Sequence, residues 1–349
     1  MDNILNEWVC KNPFEYIDIQ GNGAYVCCPS WAPTNIGNTG DLLVDWQSTE
    51  ANDIRASVLD GTYSHCNKSV CPSLSKLIGT GQPSGNFIPI IEAKAKYANF
   101  TNTTSTPKEI LFGFDRSCNL KCPSCRSDTV HNDQLDSPAH RHKLQILESI
   151  DSNFSMGAEK MMITGSGDPF YSKLYREYLI NFDASKYPNI KEIQIITNGN
   201  LLTDKMWNSL QARPFIKTIE ISIDAGTKNT YEQVTRLNGN WDQLLTNLKF
   251  ISGVQTLNTM IISMVVSEAN YNEMQTFYNL IVDIFKESNF ALHINFRQLV
   301  YWETGKYSIR DVTNMQVFET THPKFDAFML ELHKISNLPF VSHNFHHLL

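Results

Sequence analysis

The chain has 349 residues, 42% hydrophobic and 19% charged, with a formal net charge of −7. That suits one large globular domain plus a small one, and no run approaches the roughly 20 apolar residues of a membrane span. The acidic balance argues against nucleic acid as a partner, and the polar start Met1-Asp2-Asn3-Ile4 does not read as a secretory signal, so a cytoplasmic location is expected.

Eight cysteines carry the information. In a reducing compartment, clustered thiols point to metal rather than to disulfides. Five lie within residues 1–75: Cys10, the pair Cys27-Cys28, Cys66 and Cys71. Tyr25-Val26, between Gly23 and the pair, reads as a hairpin strand that delivers thiols to a turn. Four ligands from this set suffice for an iron–sulfur cluster or a zinc ion, and simple buried cysteines are the plain alternative. A polar linker is expected over residues 76–107, ending in Asn102-Thr103-Thr104-Ser105-Thr106-Pro107.

From residue 108 to 305 the pattern becomes strand–helix–strand. Strands are expected at 109–115, 160–165, 191–197, 218–224, 259–266 and 291–299, with amphipathic helices between them, among them 137–152, 241–252 and 270–285. Such alternation implies right-handed crossovers and a parallel sheet. The expected fold class is α/β: a partial (β/α)6 TIM-like barrel, preceded by a small Cys-rich auxiliary domain.

Two strands describe the barrel's interior. Ile219, Ile221 and Ile223 share one face, opposite Glu220, Ser222 and Asp224, and His293, Asn295 and Arg297 share a face of the last strand. Helices cover a barrel's outside, so the polar faces should line a cavity that holds a ligand. Satisfied core polar groups are the bland alternative. Arg297 and Glu303 are candidates to meet substrate. In the C-terminal segment, 306–349, an amphipathic helix is expected at 323–336, with Phe325, Phe328, Met329 and Leu332 on one face and Pro323 in its first turn. His343, His346 and His347 read as a solvated tail.

The central signal is Cys118-Asn119-Leu120-Lys121-Cys122-Pro123-Ser124-Cys125, close behind the first barrel strand. Three thiolates so spaced wrap one loop around a cubane and ligate three irons, leaving the fourth iron free for a small molecule. Loops at the carboxyl ends of barrel strands are where barrel active sites form. A zinc site is the alternative, though structural zinc usually takes four ligands.

This loop resembles the C-x₃-C-x₂-C signature of the radical S-adenosylmethionine superfamily. Further motifs follow in order. Gly165-Ser166-Gly167-Asp168-Pro169 is similar to the family's GGEP motif, which holds the methionyl amino group. Thr197-Asn198-Gly199 is similar to its TNG turn, and Ser222-Ile223-Asp224 to its ribose-contacting strand. Arg236 stands where relatives place an arginine for the methionyl carboxylate. Ser124 replaces the aromatic residue usual before the last cysteine, and Ser166 and Asp168 replace the usual second Gly and Glu.

The resemblance implies catalytic Cys118, Cys122 and Cys125 on a [4Fe–4S] cluster, S-adenosylmethionine as second cofactor, and an electron donor such as flavodoxin or ferredoxin. Residues 1–75 resemble the SPASM or twitch extensions of peptide-modifying members, where Gly-x₄-Cys, here Gly23 to Cys28, supplies a ligand to an auxiliary [4Fe–4S] cluster. With four cysteines so used, Cys27 or Cys28 is left over, either packed or serving as a hydrogen-atom donor. The expected activity is abstraction of hydrogen from a C–H bond, most simply to oxidise or crosslink a peptide side chain. A radical dehydrogenase or epimerase of a sugar or small alcohol is the second reading, and a non-catalytic iron–sulfur or zinc module the third.

Overall fold

Alternating strands and helices build an α/β fold with a mostly parallel central sheet, the class expected of a partial (β/α)6 barrel. The computed structural model describes residues 4–100, 105–131, 137–163, 166–301 and 305–349. Glu303 and Gly165, both singled out above, lie outside the described residues. The chain divides into two compact units. The first comprises Met1–Asp115, Asp133–Ser166 and Asp183–Glu192; the second comprises Arg116–Asn132, Gly167–Phe182 and Ile193–Leu349.

In the first unit lie β1 (Trp8–Cys10), β2 (Tyr16–Gln20), β3 (Gly23–Tyr25), β4 (Phe87–Pro89), β5 (Glu109–Gly113) and β6 (Lys160–Ile163). β1 and β4 pair antiparallel. β2 runs antiparallel to β3 and parallel to β5, which runs parallel to β6. Ile17, Ile19, Ile110, Phe112, Met161 and Ile163 are all buried. Such β-branched and bulky side chains suit a sheet whose apolar positions lose their contact with water.

Helix Thr49–Leu59 starts where Ser48 Oγ accepts from the Ala51 amide, and it buries Ala51, Ile54 and Val58 at helical spacing. Residues 76–107, read above as a linker, hold the end of helix Pro72–Thr80, then β4 and helix Ile90–Lys96.

The second unit takes β7 (Glu192–Thr197), β8 (Ile216–Ser222), β9 (Thr259–Val266), β10 (Ala291–Gln298) and β11 (Val341–His343), each parallel to the next. Between strands, Thr203 and Asn240 cap helices Asp204–Ser209 and Trp241–Ser252 with side-chain oxygens. Leu244, Leu248 and Ile251 bury one face of the latter, and Phe277, Ile281 and Phe285 one face of Met274–Phe285. Helix Phe325–Ile335 buries Phe328, Leu332 and Ile335 and begins two residues after Pro323. His343, expected in a tail, instead ends the short β11, with its ring near that of His346. Among the described residues no helix is long and apolar enough to cross a membrane.

Candidate active site

The loop after β5 is shaped by its own backbone before any partner is considered. The amides of Cys125 and Arg126 both donate to the Cys122 carbonyl at 2.9 Å, closing a turn that brings Cys122 and Cys125 together. Cys118 forms an isolated bridge with Val130. Leu120 is fully buried beneath the three thiols and packs with them. Two long-range amide bonds pin the loop, from Lys121 to the Leu237 carbonyl and from Lys306 to that of Pro123, both at 2.9 Å.

Each thiol meets a nitrogen donor from a different residue. Asn198 Nδ2 lies 3.8 Å from Cys118 Sγ, Arg236 Nη1 3.3 Å from Cys122 Sγ and Arg126 Nη2 3.4 Å from Cys125 Sγ. Burial pushes the Cys118 thiol up to about 11 and raises Cys122 as well. Neutral thiols of this kind shed their protons when a metal replaces them. Among the described residues no three Cys, His, Asp or Glu side chains converge on one point as they would around a single ion. Thiolates of a cubane ligate different irons and so ring the cluster instead. Three thiols carried by one loop match the ligation of a cubane by three thiolates.

Asp168 ties the motifs to one another. Fully buried, it accepts at Oδ2 from the Thr197 hydroxyl at 2.7 Å and the Asn198 amide at 2.9 Å. Oδ1 accepts from the Phe170 and Tyr171 amides at 3.1 and 3.2 Å. Its own amide donates to the Ser117 carbonyl at 2.8 Å, next to the first cysteine. Desolvation raises this carboxyl, and the four donors oppose the rise by favouring the charged form. Gly167 and buried Pro169 flank it. Ser166 belongs to the first unit, where its hydroxyl donates to Gln20 Oε1 at 3.0 Å.

The Thr197-Asn198-Gly199 turn needs its glycine. Gly199 has φ +80°, and a Cβ there would fall 2.8 Å from Leu244 Cδ1 and 2.9 Å from Ile221 Cγ2. Asn247 Nδ2 clamps the turn through the Gly199 and Asn200 carbonyls at 2.8 and 2.9 Å. Asn198 also donates to Asn119 Oδ1 at 3.0 Å, joining the turn to the cysteine loop.

Past Ser222, which ends β8, Asp224 adopts φ +61°, a left-handed backbone that few residues other than Gly tolerate. Its carboxylate accepts from the Val265 amide at 2.8 Å and pairs with Arg236 Nη2 at 2.7 Å. Asn270 Nδ2 holds the Asp224 carbonyl at 2.9 Å. Asp224, Arg236 and Cys122 thus form one buried chain of charge and hydrogen bonds. Deeper on the strands, Glu220 accepts from Ser263 Oγ at 3.0 Å and pairs with Arg297 at 2.8 Å. Glu220 is buried, whereas Arg297 is half exposed.

Sequence reasoning missed Arg126 and Asn200. Arg126, directly after the third cysteine, carried a signal in its position. Asn200 carried none, yet it bonds the Tyr231 hydroxyl and the Asn240 amide.

The five N-terminal cysteines do not all meet. Cys10, Cys27, Cys66 and Cys71 line one small apolar cavity of the first unit, together with Trp31 and Tyr63. Burial pushes Cys27 up to about 12, Cys66 to about 11 and Cys10 further. Cys28 does not line that cavity; it interacts with Ser30, the Trp31 amide and Asp18.

The family model of the Radical SAM superfamily matches residues 114–281. The GTP 3′,8-cyclase of Clostridium perfringens (strain 13 / Type A) is 27% identical over 208 residues, 58% of this chain and 58% of that protein. The GTP 3′,8-cyclase of Petrotoga mobilis (strain DSM 10674 / SJ95) is 28% identical over 194 residues, 55% of each. This chain spans a little over half the length of these relatives. Among solved structures, Streptococcus suis SuiB bound to precursor peptide SuiA aligns with 97% of this chain and 72% of that one, at a TM-score of 0.45 and 12% identity.

Proposed function

We propose that the chain is a radical S-adenosylmethionine enzyme using a [4Fe–4S] cluster and S-adenosylmethionine, a reading supported by the family model that matches residues 114–281, that Cys118, Cys122 and Cys125 hold the cluster, and that the substrate is a peptide side chain. When bound, the cluster supplies the electron that cleaves S-adenosylmethionine to methionine and a 5′-deoxyadenosyl radical, which takes hydrogen from a substrate C–H bond.

One observation carries the ligand assignment. The three thiols of one turn are each met by a nitrogen donor, and two of those donors, Asn198 and Arg236, come from the later motifs. Hydrogen bonds to sulfur and the burial around it are levers by which a protein tunes a cluster's potential.

The rest of the set binds and orients the sulfonium cofactor. Arg236, held by Asp224, offers a carboxylate a charge already desolvated and oriented. Ser222 and Asp224 are assigned to the ribose, and Gly165, Ser166, Gly167 and Pro169 to the methionyl amino group. Asp168 acts as a positioning residue, because all four of its hydrogen bonds run to protein donors. Thr197 and Asn198 carry that positioning to the cysteine loop.

The peptide reading rests on residues 1–75, whose cysteine spacing resembles the auxiliary segments of peptide-modifying members and four of whose cysteines line one cavity. An auxiliary [4Fe–4S] cluster there would accept the electron that the substrate radical gives up as its two-electron oxidation is completed. A second reading, a dehydrogenase or epimerase of a sugar or small alcohol, is favoured by the Arg297–Glu220–Ser263 group, which presents polar atoms suited to hydroxyls.

The test is anaerobic reconstitution followed by dithionite and S-adenosylmethionine. 5′-Deoxyadenosine is the expected product, and its absence from cluster-loaded protein would sink the assignment. Adding short peptides, nucleotide sugars or GTP in separate reactions sorts the substrates. Stimulation by peptides supports the first reading, stimulation by sugars alone the second, and stimulation by GTP alone overturns both.

A further inference from the structure

We propose that Cys10, Cys27, Cys66 and Cys71 form one closed four-thiolate site for a soft metal centre, and that Cys28 is not part of it. The inference deepens the auxiliary-cluster reading and departs from its motif, since Gly-x₄-Cys spacing from Gly23 points to Cys28.

The four sulfurs arrive from four separate segments. Cys10 ends β1, Cys27 follows β3, Cys66 lies in the turn after helix Thr49–Leu59, and Cys71 caps helix Pro72–Thr80. Long-range bonds hold these segments in place. The Tyr63 hydroxyl donates to the Trp8 carbonyl at 2.6 Å and accepts from the Cys10 amide at 3.1 Å. The Asn67 amide donates to the Trp31 carbonyl at 2.7 Å, linking the Cys27-Cys28 turn to the Cys66–Cys71 loop. Asn12 Nδ2 lies 3.7 Å from Cys27 Sγ, a donor of the kind that stabilises a thiolate. An apolar cavity lined by four thiols suits an iron–sulfur cubane, whose thiolates ligate different irons, and offers little to hard cations.

Cys28 is engaged elsewhere. Its carbonyl accepts from the Trp31 and Ala32 amides at 2.9 and 3.0 Å, fixing the turn, while its sulfur interacts with Ser30 and faces Asp18. Metal binding at the four-thiol site leaves Cys28 a free thiol.

The experiment isolates this site from the first cluster. In the Cys118→Ala/Cys122→Ala/Cys125→Ala background, all remaining iron, sulfide or zinc belongs to the N-terminal thiols. There Cys28→Ser should keep that metal in full and Cys27→Ser should lose most of it. The opposite pattern, or equal retention, overturns the proposal while leaving the radical-enzyme reading untouched. Should Cys27→Ser fail to fold, native alkylation of the holoprotein with iodoacetamide decides by mass spectrometry. Labelled Cys28 with protected Cys27 supports the assignment, and labelling of Cys27 before Cys28 refutes it.

Discussion

Arg236 bridges Asp224 and Cys122, pairing with the carboxylate at 2.7 Å and donating to the sulfur at 3.3 Å. Both partners are buried, so the guanidinium is held in place by charge on one side and by the cysteine loop on the other. Burial disfavours its charge, but Asp224 and then Cys122 raise its pKa despite that cost. Arg236→Ala leaves Asp224 without its cation and should destabilise the protein by about 3–5 kcal/mol. Arg236→Lys keeps the charge without the fork. We expect it to fold, to retain its iron, and to form 5′-deoxyadenosine roughly 10–100-fold more slowly. Wild-type rates in the lysine variant would show that the fork does not matter.

Removing one proposed ligand of the first centre should separate the two sets of thiols. Cys122→Ala should lower iron from about eight to about four atoms per chain and abolish 5′-deoxyadenosine formation. Undiminished iron together with normal turnover would show that Cys122 holds no cluster.

Asp168 answers a different question, since its four donors come from the chain itself. Asp168→Asn replaces one oxygen by an NH₂ group that faces donors instead of accepting from them. A loss of about 3 kcal/mol is expected, read as a lower urea midpoint. A shift under about 0.5 kcal/mol would mean the knot is not needed for folding.

Gly199→Ala forces a methyl against Leu244 and Ile221 at a positive φ. Strain and overpacking together should cost about 2 kcal/mol. Thermal unfolding measures it, and an unchanged midpoint would refute the steric argument.

Asp18 supplies the pH dependence. Burial pushes its carboxyl up from 3.8 to about 6, with Gln20 and Tyr16 donating against the rise. Because the folded chain holds this proton more tightly than the unfolded one, the contribution is full below pH about 4. It is lost as pH rises through about 6, a swing on the order of 3 kcal/mol. Asp18→Asn should flatten stability between pH 4 and 7. Equal slopes in variant and parent, from urea midpoints across that range, would remove Asp18 as the cause.

Much of the site was legible because its signals are local. Cys118, Cys122 and Cys125 lie within one short loop, so spacing alone placed them together. The β8 isoleucines alternate with Glu220 and Ser222, and that period is a property of any strand. Residues 76–107 misled because their Gly, Ser and Pro content resembles a linker, while Leu77, Phe87, Ala93 and Tyr97 supply enough apolar surface to fold into the first unit. β11 (Val341–His343) was not among the expected strands, yet it forms because the edge of β10 offers it unpaired backbone groups.

Periodicity determined the fold class and short spacing put Cys118, Cys122 and Cys125 in one loop, since both are written in neighbouring residues, while the later motifs were legible through their resemblance to a family. Tertiary structure alone decided that Asp168 binds the Thr197-Asn198 turn, that Arg236 reaches Cys122, and that Cys27 rather than Cys28 faces the other N-terminal thiols. Adjacent side chains leave the backbone in different directions, and which one meets partners 17 or 44 residues away depends on packing that no local pattern records.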